Sequence, residues 1–168
     1  YDVSHISGNH AVASCIVFTN EGPSKKEYRT FNIPKELSGN DVGSLEHVIQ
    51  RRIKYYHNKE IKPDLILIDG GKSQLHFSQS VIQNSDHKDI KVISIVKGVK
   101  RIKATETVLS KNGIIEFNKD SKGYLLLQEI RDESHRFAVN AQRKKKNAKN
   151  RKSQLDNIEG IGKILKKR

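Results

Sequence analysis

Leu65-Ile66-Leu67-Ile68-Asp69-Gly70-Gly71-Lys72 is the stretch that decides the fold. Four consecutive apolar residues suit a strand buried on both faces, inside a sheet covered by helices. Asp69 ends that strand and delivers a carboxylate to a loop mouth, where open α/β sheets place their ligands. An ordinary Asp-Gly turn accounts for the same residues without any chemistry. Gly70 and Gly71 let the backbone turn sharply and approach a phosphate closely. Lys72, at the start of the following helix, adds a charge-assisted contact there. This is not a nucleotide-binding P-loop, whose leading Gly is absent.

Outward from this strand, residues 72–83 form a helix with Leu75, Phe77, Ser78, Val81 and Ile82 available to its buried side. Residues 92–96 are a short apolar strand, and 105–109 with 114–117 make a hairpin around Asn112-Gly113. A long helix follows from about residue 121 to 145, carrying Leu125, Leu126, Ile130 and Phe137. Upstream, from Asp41 or Ser44 to Tyr56, Val42, Leu45, Val48, Ile49, Ile53 and Tyr56 recur at three- and four-residue intervals, the signature of an amphipathic helix. Before it lie three strands, at 1–4, 11–19 and 26–33, turned at Ser7-Gly8-Asn9 and broken at Glu21-Gly22-Pro23-Ser24. The order β-β-β-α-β-α-β, then a hairpin and a helix, predicts an α/β fold. Its mixed five-stranded sheet, an antiparallel meander plus parallel strands, is flanked by helices. Periodicity alone leaves the choice among such folds open.

The chain has 168 residues, enough for one domain with a real core plus an appendage. Its 32 Lys and Arg against 19 Asp and Glu give a formal net charge of +13, which points to a polyanionic partner. Residues 143–168 hold 11 basic and 2 acidic residues, so the tail carries most of that excess. The single cysteine, Cys15, lies in an apolar run, has no intramolecular partner and fits a reducing cytoplasm. No apolar stretch approaches the ~18 residues that span a bilayer, and nothing at the start resembles a secretory leader. With the first strand at residue 1, the chain is expected to be an excised fragment.

Asp2 opens the chain in Tyr1-Asp2-Val3-Ser4-His5, and His135 lies far downstream in Arg131-Asp132-Glu133-Ser134-His135-Arg136-Phe137. DVSH (2–5), SCIVF, YRTFNI, LILIDGGKSQL (65–75), KGVKR (97–101) and RDESHRFA (131–138) together resemble the C-terminal half of the UvrC family, bacterial nucleotide-excision-repair endonucleases. The likeness covers most of residues 1–142, and LIDGGK followed by RDESHRF at this distance is its specific part. It implies an RNase H-like fold and a metal-dependent DNA endonuclease that makes the incision 5′ to a lesion, working with UvrB on damaged double-stranded DNA. It carries catalytic roles to Asp2, Asp69 and His135. It also marks the loop before the first helix, where Asp41 is the matching acid and Asn40 replaces a second acid common in the family.

Such hydrolysis must neutralise a phosphate, activate a water and stabilise a leaving oxyanion. A hard cation, Mg2+ or Mn2+, held by Asp2 and Asp69 serves all three needs. His135 is expected either to bind that metal or to protonate the leaving oxygen. His5 lies on the opposite strand face from Asp2 and is assigned a structural part. His10, His47, His57, His76 and His87 have no ligand spacing, so no zinc site is expected. No small-molecule cofactor and no membrane are expected as partners.

Besides Lys72, the expected DNA contacts are Lys97, Lys100 and Arg101, then Arg131 and Arg136 beside His135, and Arg143 in the basic tail. Residues 1–145 are assigned to the nuclease domain, and 146–154 to a flexible basic linker. Residues 155–168 are assigned to the start of a helix-hairpin-helix module, whose Gly160 and Gly162 would offer backbone amides to a phosphate. The alternatives are another RNase H-like nuclease, such as an endonuclease V relative, and a non-catalytic nucleic-acid-binding module.

Overall fold

The computed structural model describes residues 1–6, 10–96 and 106–156. The expected turn at 7–9, the basic residues Lys97, Lys100 and Arg101, and the glycines Gly160 and Gly162 lie outside the described residues.

Strands β1 (Asp2–Ile6), β2 (His10–Cys15), β3 (Phe18–Thr19), β4 (Gly22–Pro23) and β5 (Arg29–Asn32) come first, followed by helix α1 (Asp41–Lys59). Then β6 (Leu65–Asp69), α2 (Lys72–Gln83), β7 (Lys91–Val96), β8 (Thr107–Ser110), β9 (Gly113–Ile115) and α3 (Lys122–Asp156) complete the described chain.

The strands pair as a three-stranded antiparallel sheet, β1-β2-β5, and a mixed four-stranded sheet, β6-β7-β8-β9, in which β6 and β7 are parallel. A single five-stranded sheet was expected. The two ladders instead meet at one residue, where Tyr1 N donates to Leu67 O at 2.8 Å and Asp69 N donates to Tyr1 O at 2.9 Å. The expected second strand, 11–19, is likewise divided. Positive φ at Gly22 (99°) turns the chain so that Phe18–Thr19 folds back on Gly22–Pro23 as a separate small hairpin. The third strand is short because Lys25–Glu27 form a 3-10 turn.

One face of the sheets is covered by α1 and α2. Leu45, Ile49, Ile66, Ile68, Leu75, Ile82, Ile90, Val92 and Leu109 form the core there. Burying each such side chain contributes about 1.5–3 kcal/mol. The α1 periodicity is as expected, with Leu45, Val48, Ile49 and Tyr56 buried. Asn40 begins it, its side-chain oxygen accepting from Gly43 N at 2.9 Å, a cap contributing about 1 kcal/mol. On α2, Leu75, Ser78 and Ile82 face inward, while Phe77 is largely exposed.

The other face carries α3, and its buried seam does not follow the apolar residues that mark the helix in sequence. Leu125 and Leu126 are half exposed, and the buried seam runs through Tyr124, Leu127, Ser134 and Ala138. In a run of three leucines hydrophobicity cannot choose the phase, and the inward residues further along are too small to signal burial. Tyr124 and Leu127 pack on Ile95 and Val108, and α3 also packs on β1 and β2. The helix continues to Asp156, so the segment expected to be a flexible linker has helical backbone through 146–154. Its Lys, Arg, Ala and Gln are good helix formers, and no Gly or Pro interrupts it after Gly123.

A candidate metal-binding nuclease site

Asp2 and Asp69 come side by side because Tyr1 links β1 to the end of β6. Alternation along β1 sends Tyr1 and Val3 into the core beneath α1, and Asp2 to the opposite face, toward α3. Along β6, Ile66 and Ile68 enter the α1 and α2 core, so Leu67 and Asp69 share the α3 face. The small residues Ser134 and Ala138 bring α3 close to the sheet, and His135 reaches the carboxylates from it. Asp2 Oδ2 is 3.6 Å from His135 Nδ1. One ligand atom from each of Asp2, Asp69 and His135 lies within 4.8 Å of the others.

The environment fits a cation. Asp2 is 7 % exposed, and its Oδ2 is buried without a hydrogen-bond partner. A buried carboxylate oxygen in that state is costly unless a positive charge faces it. Ligands sharing one Mg2+ at about 2.0–2.1 Å stand at most about 4 Å apart, and the donor spacing here is near that. Two carboxylates and one imidazole suit Mg2+ or Mn2+ better than a thiolate-seeking metal. The His135 side chain is 58 % exposed and forms the solvent side of the cluster.

The support beneath Asp2 is a buried polar stack. Tyr1 and Tyr56 hydroxyls are 3.2 Å apart, and Arg52 Nε donates to the Tyr56 hydroxyl at 3.2 Å. The Arg52 guanidinium lies over the rings of Tyr55 and Tyr56. Burial pushes the phenol pKa of both Tyr1 and Tyr56 upward, so both stay neutral. The loop after Asp69 is held by Gln74, whose Oε1 accepts from Gly71 N at 2.7 Å. A Cβ on Gly70 would stand 2.2 Å from that oxygen. Gly70 therefore makes room for the helix cap, and its φ is not in the left-handed region.

The other expected site residues fall in different places. Asp41 is the first residue of α1 and lies outside the three-residue cluster. Lys72 begins α2 and is exposed two residues beyond the Gly70 backbone. Arg131 is mostly buried and pairs with Glu106 and with Asp132, its Nε donating to Asp132 Oδ1 at 3.1 Å. Arg136 is exposed and donates to Glu133 Oε2 at 2.7 Å. Arg143 is exposed on α3. Two residues were missed by the sequence reading, Glu106 and Tyr28. Glu106 is a buried acid whose cation is 25 positions away, so no local spacing signals it. Tyr28 donates to Glu133 Oε1 at 3.3 Å, and burial, then the Glu133 charge, pushes its phenol up to about 12.

Residues 1–139 match the family model described as the UvrC RNase H endonuclease domain. Among curated proteins, the chain is 41% identical over 164 residues to the UvrABC system protein C of Legionella pneumophila (strain Paris), covering 96% of this chain and 26% of that protein. It is 39% identical over 165 residues to the protein of that name from Pseudomonas putida (strain KT2440), covering 96% of this chain and 27% of the relative. The chain thus spans about a quarter of the length of the curated relatives it matches.

Proposed function

The chain belongs to the UvrC RNase H endonuclease domain family, and on that footing we propose that it hydrolyses a phosphodiester bond of damaged double-stranded DNA on the 5′ side of the lesion. It would act within a larger UvrC protein, in the cytoplasm and in company with UvrB. Strands β5-β2-β1-β6-β7 are read as the five-stranded core of an RNase H-like sheet, joined through Tyr1. Residues 1–145 are read as the nuclease domain, with the helix-hairpin-helix start at 155–168.

The observation that carries the proposal is the meeting of Asp2, Asp69 and His135, 133 positions apart at their extremes, around one buried carboxylate oxygen that lacks a hydrogen-bond partner. Asp2 and Asp69 would hold a divalent cation, Mg2+ or Mn2+. When bound, it supplies neutralisation of the phosphate charge and of the oxygen that leaves. Asp2, fixed by the strand pairing with β2 and α3 above it, orients that charge without reorganising. The exposed imidazole of His135 faces the space a phosphate would enter, where it holds the cation or moves a proton at the leaving oxygen. Lys72, Arg136 and Arg143 supply sequence-independent phosphate contacts. Asp41, the first residue of α1 and outside the three-residue cluster, is proposed as a further acid for incision.

The test is Mn2+- or Mg2+-dependent nicking of a duplex with a bulky lesion, by a full-length UvrC protein carrying this domain together with UvrB. Asp2→Ala, Asp69→Ala and His135→Ala are each expected to lose the 5′ cut and keep the 3′ cut. Mn2+ titration of the same variants separates the His135 roles, since affinity falls if it is a ligand and stays if it carries a proton. Retention of the 5′ cut by a folded variant removes that residue, and retention by all three overturns the proposal.

A further inference from the structure

Next to His135, where α3 passes the turn that precedes β5, a concave surface of about 430 Å3 is lined by Lys25, Tyr28, Glu133, Arg136, Phe137 and Asn140. That size is within the range of small-ligand sites. The α3 residues share one face, since 133, 136, 137 and 140 stand three and four apart. Tyr28 and Phe137 meet edge to face with ring centroids 5.1 Å apart at 69°. Glu133, the one acid of the lining, is occupied on both oxygens, by the Tyr28 hydroxyl at 3.3 Å and by Arg136 Nη2 at 2.7 Å. Lys25 and Arg136 against that single carboxylate leave the hollow net positive. Asn140 adds an amide that both donates and accepts.

A rigid aromatic pair, two cations and an amide in one hollow match one chemistry. Aromatic surface stacks on any base, and cations take the phosphate beside it. Glu133 and Arg136 flank His135 on α3, so the hollow lies within one helical turn of the Asp2, Asp69 and His135 cluster. We infer that the hollow is a nucleotide subsite: it takes a base turned out of the duplex stack, with its phosphate on Lys25 and Arg136, and anchors the strand beside the bond to be cut. The inference rests on the nuclease reading and extends it to a specific nucleotide of the substrate.

The test is fluorescence anisotropy of the whole chain with labelled single-stranded oligonucleotides in which one abasic residue is stepped along the strand. Chelator is present so that nothing is cut. The wild type is expected to bind roughly tenfold more weakly when the abasic residue reaches one position. Phe137→Ala is expected to bind the intact strand roughly tenfold more weakly and to lose that position dependence. Lys25→Ala with Arg136→Ala, which leaves the rings in place, keeps the position dependence and reduces the salt slope of binding by about one to two. A wild type indifferent to every abasic position overturns the subsite and leaves a phosphate-binding surface only. A folded Phe137→Ala with the wild-type profile also overturns it. Nicking with Mn2+ is scored separately on the lesion duplex, by a full-length UvrC protein carrying this domain together with UvrB. Position-dependent binding without any nicking supports the subsite and removes the nuclease reading, whereas nicking without position dependence removes the subsite alone.

Discussion

The two faces of the central sheets are packed by different chemistries. Under α1 and α2 the contacts are mainly between branched aliphatic side chains, and Ile49, Ile68 and Ile82 have no exposed surface; the polar exceptions include the hydrogen-bonded Tyr1, Tyr56 and Arg52 and the buried Ser94. Under α3, where it crosses β1 and β2, the buried polar positions are Asp2, Ser14 and Ser134, each with a side-chain oxygen lacking a hydrogen-bond partner. Ser14 stands directly opposite Asp2 in the strand register. The first face supplies stability through apolar burial. The second face forgoes some, because unmatched buried oxygens each cost about 1–3 kcal/mol. On the proposed reading, a site that receives a cation and a phosphate leaves its own groups unmatched beforehand, and the opposite face makes that condition tolerable.

The sharpest way to break this contrast is to neutralise the polar face. Asp69→Asn and Asp2→Asn are expected to reduce cutting on the order of 10³-fold, equivalent to several kcal/mol of transition-state stabilisation. In chelator, Asp2→Asn is expected to unfold at the same temperature as wild type or higher, which calorimetry checks. A clear loss of thermal stability would mean that Asp2 serves the fold. On the apolar face the order reverses. Ile82→Ala should lose about 2–5 kcal/mol in urea unfolding while each folded molecule cuts at the wild-type rate. If cutting falls with it, the faces are not separable.

Smaller effects sharpen the comparison at the α3 seam. Ser134→Ala removes a buried hydroxyl without a partner and is expected to raise stability by about 1 kcal/mol, with cutting intact. Ser134→Leu overfills the seam, costs about 1–3 kcal/mol, and slows cutting because it lifts His135 from the carboxylates. The smallest effect is in pH. Tyr28 has a folded pKa pushed up to about 12 from an ordinary value near 10, so the folded protein keeps a proton that the unfolded chain releases. Its contribution is complete below pH ~10 and is lost as pH rises toward ~12. Tyr28→Phe should remove one phenol from the high-pH absorbance titration and flatten that part of the alkaline stability profile. A Tyr28 titrating near 10 would exclude the Glu133 contact in solution.

The readable parts of the sequence were those where a local pattern and the tertiary structure ask for the same thing. The α1 stripe, the buried β6 strand and the acid at its end are of this kind. The meeting of Asp2 with His135 was signalled by the family resemblance alone, since no periodicity links residues 133 positions apart. The phase of α3 was not readable, since Ser134 and Ala138 are buried for closeness and carry little hydrophobic signal. The two ladders of the expected sheet are joined, among the described residues, by two hydrogen bonds at Tyr1, a link that no periodicity encodes. The Glu106–Arg131 pair and the Tyr28 hollow are contacts between distant elements, and composition is silent about them.

The unbroken course of α3 makes it a measuring rod. From His135 to Asp156 it climbs 21 residues at about 1.5 Å each, or about 32 Å. That is close to one turn of B-form DNA, about 34–36 Å. On the nuclease reading, with α3 lying along the duplex, a grip made at its far end would meet the same side of the double helix as the cluster around Asp2, one turn along. A hinge placed in this helix would let the grip survive while the address of the cut became blurred.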